Sequence, residues 1–330
     1  MRQTLRILKY TGLAAGLLAG AGITFLYARR PETAAAATIR IEPTPERLAR
    51  GNYIYTLADC DGCHSERDFS RFGGPVVAGR QGVGTILPKD MGLPGIVAPP
   101  NLTPDRETGI GEWTDGEKIR AIREGVDRNG RALFPMMPYE GYRQMSDEDV
   151  YSLVAYLNSL PPVKHAVPAT QLNFPVGLLI KATPKPAGHV ARPDASDRRA
   201  YGEYLATIGG CKECHTPSLA GGVKFQLAPG IAVVTANISP DETTGTGRWR
   251  EQDFVERFAQ YREYVANGAP PAGPQSMTLM PWLSLAQLTD DDLRAIYAYV
   301  RSVPPVTKAV ETHPGWDPPR VVAGVGFGRM

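Results

Sequence analysis

The feature that most constrains this chain is a short segment that occurs twice. "CDGCHS" covers residues 60–65 and "CKECHT" covers residues 211–216. Together they contain all four cysteines of the 330 residues, and each places a histidine directly after its second cysteine. The pattern indicates one chemical centre at each segment.

Three kinds of centre use paired cysteines. A zinc site commonly joins two pairs about 15–20 residues apart, whereas Cys63 and Cys211 are far apart in sequence. A redox dithiol has no use for the following histidine. Covalent haem attachment uses all three residues, because the thiols add to the vinyl groups and the histidine binds iron. The duplicated motif therefore favours two covalently bound haem c groups. Their predicted attachment and proximal residues are Cys60, Cys63, His64, Cys211, Cys214 and His215.

Composition excludes several function classes. A net charge of +2 gives no support for a nucleic-acid partner. Hydrophobic residues make up 42%, too little for a protein with many membrane spans. The 35 glycines and 30 prolines indicate long loops. His189 and His313 lie in Pro/Gly-rich segments and are predicted to be surface residues rather than ligands.

Residues 1–30 form a distinct N-terminal segment. Positions 11–28 carry no charge and are followed by Arg29 and Arg30. A spanning helix needs about 17–25 residues, whereas the core of a cleavable signal peptide has about 7–15. We therefore expect one uncleaved N-terminal transmembrane helix in the cytoplasmic (inner) membrane of a bacterium. The small residues "TAAAAT", 33–38, leave a cleaved signal and a periplasmic protein open.

Both alternatives place residues 40–330 outside the cytoplasm, where haem is attached to C-x-x-C-H motifs. Gly12, Gly16 and Gly20 recur every four residues in the apolar segment. Small residues at this spacing let two helices approach closely in lipid. They suggest a transmembrane helix partner.

The two motifs belong to an internal repeat. Aligning Cys60 with Cys211 also aligns Gly51 with Gly202. Further on, "NLTPDRETGIGEW" (101–113) matches "NISPDETTGTGRW" (237–249), and the segment 136–163 matches 279–306. We predict two domains, 44–163 and 196–306, joined by a linker at 164–195 and followed by a tail at 307–330.

Helical patterns dominate each repeat, so the predicted fold class is all-α. A helix should lead into each motif, and a last helix should begin after Ser146 or Thr289. Thr114 with Glu117 has the pattern of a helix capping box. Gly51 and Gly202 should let the first and last helices cross closely, against Tyr156 and Tyr299. The apolar "FPVGLLI" of the linker is expected to pack between the modules.

Haem iron held by one histidine has a sixth position to fill. Methionine there gives an electron carrier of raised potential, whereas an open position invites oxygen or peroxide. In the aligned repeats Met137 matches Met280, and each precedes a proline. We predict these two as axial ligands, with Met136 as the alternative in the first module.

The proximal histidine also needs a partner for its second ring nitrogen. The segment "GGPVVAG", 73–79, offers the carbonyl of Pro75 to His64. Val223 stands at the matching point of the second module, which leaves the partner of His215 open.

The two C-x-x-C-H motifs, the repeated "NLTPDRETGIGEW" and the repeated "MPYEGYRQMSDEDVYSLVAYL" resemble the class I c-type cytochromes in tandem form. More narrowly, the chain is similar to the membrane-anchored cytochrome c subunits of bacterial periplasmic alcohol and aldehyde dehydrogenases. Those subunits commonly have three haem modules, whereas this chain has two. The resemblance covers residues 44–306 and implies a small helical fold around each haem.

The favoured function is electron transfer, with no catalytic residue. Electrons would come from a periplasmic dehydrogenase or quinol-oxidising complex and leave to an oxidase or a soluble cytochrome. The alternative is a di-haem peroxidase, which needs one accessible iron with an acid/base group beside it. Two matching Met-Pro segments disfavour the peroxidase.

Overall fold

The structure is a computed structural model that describes residues 2–228, 231–273 and 278–314. Its first element is helix α1, Arg2–Ala28. The segment Tyr10–Ala28 is long and apolar enough to cross a membrane, and none of its most apolar stretch is buried against the rest of the chain. A β-carbon added at Gly12, Gly16 or Gly20 would have no neighbouring atom within 4 Å. This face of α1 has no partner in the described chain, so the transmembrane helix partner remains a prediction.

The first module contains five helices in the described chain. Helix α2 begins at a Thr44 cap with proline in its first turn, and α4 begins at the predicted capping box of Thr114 and Glu117. Helix α6 begins directly after its Ser146 cap, as predicted, and three acidic residues in its first turn complement the helix dipole. The bounds are α2 Pro45–Leu57, α3 Cys60–His64, α4 Asp115–Glu124, α5 Tyr139–Tyr142 and α6 Asp147–Ser159.

The second module repeats this order with one additional short helix. Asp197 caps its first helix, and Thr289 caps its last, as predicted. The bounds are α8 Arg198–Ile208, α9 Cys211–His215, α10 Glu251–Ala259, α11 Arg262–Asn267, α12 Trp282–Leu285 and α13 Asp290–Ser302.

The first and last helices of each module cross at the predicted glycines. A β-carbon on Gly51 would lie 2.0 Å from the carbonyl oxygen of Ser152 and 2.7 Å from Cβ of Tyr156. On Gly202 it would lie 1.8 Å from the carbonyl oxygen of Ala295. Neither distance allows a side chain. Ala295 and Ile296, rather than the predicted Tyr299, provide the nearest atoms in the second module.

Short strands accompany the helices, so the structure is predominantly rather than purely helical. Strand β1, Gly95–Ile96, pairs antiparallel with β2, Gln171–Leu172. Strand β3, Lys224–Ala228, pairs antiparallel with β4, Ile231–Val234.

The linker packs around the first module, and the prediction that "FPVGLLI" packs between the modules is wrong. The backbone amide of Ala98 donates to Oγ1 of Thr170 at 3.0 Å, and the amide of Asp147 donates to the carbonyl of Val190 at 3.0 Å. The apolar segment forms the short helix α7, Val176–Leu179, whose flanking Phe174 is exposed. Backbone pairing to β1 holds the linker at this position.

The modules contact each other in a reciprocal way. The hydroxyl of Tyr53, in the first helix of the first module, accepts a 3.2 Å hydrogen bond from the amide of Thr289. Thr289 caps the last helix of the second module. Tyr204 accepts the equivalent bond from the amide of Ser146 at 3.1 Å. Buried residues of both modules form one continuous apolar core. The repeats therefore meet through the same surface, as subunits do in a two-fold dimer.

Candidate haem-binding sites

Each C-x-x-C-H segment forms a one-turn helix that starts after a sharp bend. The residue before the first cysteine has a left-handed backbone, with φ of 47° at Asp59 and 66° at Gly210. Glycine adopts this conformation freely, and aspartate is among the residues that tolerate it best. The bend brings the paired cysteines and the histidine of each motif onto a single helical turn.

The two histidines are buried and make the same hydrogen bond. Nδ1 of His64 lies 2.8 Å from the carbonyl oxygen of Pro100, and Nδ1 of His215 lies 2.8 Å from that of Ala236. A carbonyl only accepts, so each Nδ1 carries the proton and Nε2 keeps its lone pair. Burial lowers the pKa of both histidines, which favours the neutral imidazole that binds iron.

The prediction that Pro75 is the partner of His64 is wrong. The Pro75 carbonyl accepts a 2.9 Å hydrogen bond from the amide of Asp68 instead. Pro100 and Ala236 each directly precede the repeated Asn-Leu/Ile-Thr/Ser-Pro segment. That repeat was the signal in the sequence for both partners.

A buried asparagine holds each of these carbonyls in place. Asn101 donates to the carbonyl of Val163 at 2.8 Å and accepts from the amide of Thr103 at 2.9 Å. Asn237 repeats the arrangement, donating to the carbonyl of Val306 at 2.8 Å. Because they fix the loop that orients each histidine, these asparagines are positioning residues that the sequence reasoning missed.

The four cysteines are unpaired thiols. Burial raises the pKa of Cys63 to about 11 and that of Cys211 to about 12, and it also raises the pKa of Cys60 and Cys214. Burial thus favours the neutral thiol at all four cysteines, and a thiol S–H is the group that adds across a vinyl bond. Each site therefore combines two free thiols with a buried imidazole whose Nδ1 is hydrogen-bonded to a carbonyl. These residues fit a covalently attached haem.

The described residues contain no cluster of three or more His, Cys, Asp or Glu side chains suited to a metal ion. His189 is exposed and contacts Asp147, as expected of a surface residue. His313 is half-buried, with Nδ1 3.1 Å from Oγ1 of Thr312.

The two Met-Pro segments share a conformation. Met137 and Met280 are half-buried against the core, and in each the methionine carbonyl accepts a 2.8 Å bond from the amide two residues later. A short helix then follows the proline. Tyr142 in α5 donates a 3.1 Å hydrogen bond to the carbonyl of Ala58, which connects the first methionine segment to the turn before Cys60.

The two motifs lie beside each other at the module interface. Ser284 of the second module donates a 2.6 Å hydrogen bond to Oδ1 of Asp59, which precedes Cys60. A β-carbon on Gly209 would lie 3.2 Å from Cδ1 of Leu57.

Comparison with known proteins agrees with this geometry. The family pattern described as cytochrome c matches residues 48–161 and 182–304. The fructose dehydrogenase cytochrome subunit of Gluconobacter japonicus is 32% identical over 300 residues, 82% of this chain and 56% of that protein. The quinone alcohol dehydrogenase cytochrome c subunit of Gluconacetobacter polyoxogenes is 30% identical over 281 residues, 78% of this chain and 56% of that protein.

A diheme cytochrome c-type protein of Cereibacter sphaeroides is 30% identical over 315 residues, which cover 89% of this chain and 97% of that protein. The chain thus spans only about half the length of the two dehydrogenase subunits but nearly all of the diheme cytochrome.

Proposed function

The chain belongs to the cytochrome c family, and we propose that it is a di-haem electron carrier whose two sites exchange electrons within one molecule. The observation that carries the proposal is the pair of identical histidine geometries. Each buried imidazole has Nδ1 bound to a carbonyl at 2.8 Å and lies next to two free thiols. The proposed haem modules are 44–163 and 196–306.

Each haem supplies a one-electron couple between ferric and ferrous iron when it is bound. In the first module Cys60 and Cys63 would hold it covalently, and His64 and Met137 would bind the iron. In the second, the corresponding residues are Cys211, Cys214, His215 and Met280.

The protein surroundings favour a filled and sheltered iron site. Burial of His64 and His215 keeps water away from both imidazoles, and the hydrogen bond to a carbonyl fixes the orientation of each ring. The equivalent backbone turns at Met137 and Met280 support the same ligand in both modules. A carrier gains from such rigidity, because the ligands need not move when the oxidation state changes.

Contact between the motifs supports electron exchange between the two sites. The Ser284–Asp59 hydrogen bond and the approach of Gly209 to Leu57 bring the two attachment segments together. A carrier that receives electrons at one module can therefore release them from the other.

The proposed partners are redox proteins. Relatives named as cytochrome subunits of fructose and alcohol dehydrogenases support a periplasmic dehydrogenase as donor, with a quinol-oxidising complex as the other candidate. An oxidase or a soluble cytochrome would be the acceptor. We place the haem modules in the periplasm of a bacterium, held to the inner membrane by α1. Release of the modules after signal cleavage is the alternative.

The carrier and the peroxidase differ in how the reduced protein meets small ligands. We expect two covalent haems per chain, slow and weak binding of carbon monoxide, rapid electron delivery to a soluble cytochrome, and no peroxide turnover by the half-reduced protein. Cys63→Ala and Cys214→Ala should each remove one haem. Rapid carbon monoxide binding at one haem, together with peroxide turnover, would show a di-haem peroxidase instead.

A further inference from the structure

The linker carries an exposed apolar ridge, which we define as residues 173–182. Phe174 is 71% exposed and Leu179 is 51% exposed, while Val176, Leu178 and Ile180 are half-buried. Single exposed apolar side chains are common on soluble proteins. This ridge differs from such single side chains in its position beside α1.

The ridge lies at the end of the apolar N-terminal helix. Helix α7 contacts α1, and Nζ of Lys181 donates a 3.0 Å hydrogen bond to the carbonyl of Tyr27, the penultimate residue of α1. Lys185, just beyond the ridge, forms an ion pair with Glu32. The ridge therefore lies directly beside the C-terminal end of α1.

The segment that follows α1 is hydrogen-bonded to the first module, so α1 and the module are not joined by a flexible linker. The amide of Ala34 donates to Oε2 of Glu124 at 2.9 Å, and the amide of Ile41 donates to Oδ2 of Asp115 at 2.8 Å. The carbonyl of Ala37 lies so close to Gly116 that a β-carbon there would be 2.0 Å away. These contacts fix the direction from which α1 meets the module.

We propose that the ridge inserts into the headgroup–acyl boundary of the bilayer that α1 crosses, an inference that rests on the proposed membrane anchor. Aromatic side chains favour this boundary, and lysine and arginine place their charges near lipid phosphates. Tyr27, 61% exposed at the end of α1, and Phe174 would lie at that depth. Lys181 and Arg30 supply the positive charges beside them.

The consequence is an orientation of the haem modules. A single helix followed by a flexible segment would let the modules rotate freely. Two contacts, α1 through the bilayer and the ridge on its surface, hold the first module against the membrane. A membrane-bound redox partner would then meet a defined face of the carrier.

Spin labels can measure the depth of the ridge directly. Haem attachment consumes the four native cysteines, so one added cysteine in the full-length, haem-loaded protein is uniquely labelled. The variants are Phe174→Cys and Leu179→Cys in the ridge, Leu18→Cys in α1, and Phe69→Cys as the matched control. Phe69 is 61% exposed but belongs to a loop outside the ridge. Each variant is reconstituted in phosphatidylethanolamine–phosphatidylglycerol vesicles and kept oxidised, and the relaxation measured under nitrogen is subtracted, so that the constant contribution of the ferric haems cancels.

The readout is the accessibility of the label to oxygen, which concentrates in lipid, relative to a water-soluble nickel chelate. We expect this ratio to be several-fold higher at positions 18, 174 and 179 than at position 69. A high ratio at 18 alone, with 174 and 179 equal to 69, overturns the ridge contact and leaves the anchor intact. An aqueous ratio at position 18 overturns the anchor and the ridge together.

Discussion

The hydroxyl of Tyr204 donates a 2.6 Å hydrogen bond to Oδ2 of Asp149, and this bond joins the second module to the last helix of the first. In the reverse direction, Tyr53 hydrogen-bonds to Asp292. The two pairs occupy equivalent positions of the repeat, but their surroundings differ. Arg50 forms two hydrogen bonds to buried Asp149, at 2.8 and 2.9 Å, whereas the repeat has Tyr201 in place of Arg50.

Removing the Tyr204 hydroxyl should therefore cost more than removing that of Tyr53. Hydrogen bonds to charged groups contribute about 1.5–3 kcal/mol, and we expect Tyr204→Phe to lower the free energy of unfolding by that amount. Tyr53→Phe should lower it by at most about 1 kcal/mol, because Asp292 is only half-buried and Thr289 is exposed, unlike buried Asp149. Guanidinium unfolding of the haem-loaded protein measures both. Equal losses in the two variants would contradict the asymmetry.

Asp149 should also make stability depend on pH. Burial alone would raise the pKa of Asp149, but hydrogen bonds and charge from Arg50, with a hydrogen bond from Tyr204, lower it. The unfolded chain then binds a proton at higher pH than the folded chain, so the contribution is complete above the unfolded pKa of about 3.9. It is lost as the pH falls through the lower, folded pKa.

We therefore expect the free energy of unfolding to fall with acidification below about pH 5. Asp149→Asn should flatten this dependence and, by leaving Arg50 without its partner, destabilise the protein by about 3 kcal/mol at neutral pH. Tyr204→Phe is the matched variant and should reduce the slope only in part. The same slope in wild type and Asp149→Asn would show that other carboxylates control acid unfolding.

Sequence reasoning identified the helices wherever short-range signals determine them. The caps Thr114, Ser146 and Thr289 start helices at the predicted positions, because a side chain that accepts a backbone amide acts locally. Gly51 and Gly202 were likewise recognised, since only glycine allows such a close crossing. These features need no knowledge of distant contacts.

The errors concern contacts between distant segments. Pro75 was expected beside His64 from its place in the chain, but the loop 99–102 reaches the histidine instead. The apolar composition of "FPVGLLI" predicts packing between the modules, whereas the segment lies beside α1 with Phe174 and Leu179 exposed. The reciprocal tyrosines were also unforeseen, because the repeat alone does not say which surfaces of its two copies meet.

The asparagines that hold the histidine-binding loops provide a test that leaves the ligands unchanged. Asn101→Ala removes a buried network and should cost about 1–3 kcal/mol of stability. A loosened carbonyl of Pro100 would also make His64 a poorer electron donor, so the reduction potential of that haem should rise. Asn237→Ala is the matched variant and should raise the potential of the other haem. Spectroelectrochemical titration distinguishes these effects from simple destabilisation, which would leave both potentials unchanged.

The proposed methionine ligands can be tested against a neighbour that differs by one position. Met137→Ala and Met280→Ala should each abolish one methionine–iron charge-transfer band and lower one reduction potential, because methionine ligation raises the potential of haem iron. Met136→Ala is the matched control, since Met136 is also half-buried and lies in the same segment. It should leave both bands in place. Loss of a band in Met136→Ala but not in Met137→Ala would move the ligand by one residue. Two intact bands in all three variants would contradict methionine ligation at these segments, and the irons would then have different or open sixth positions.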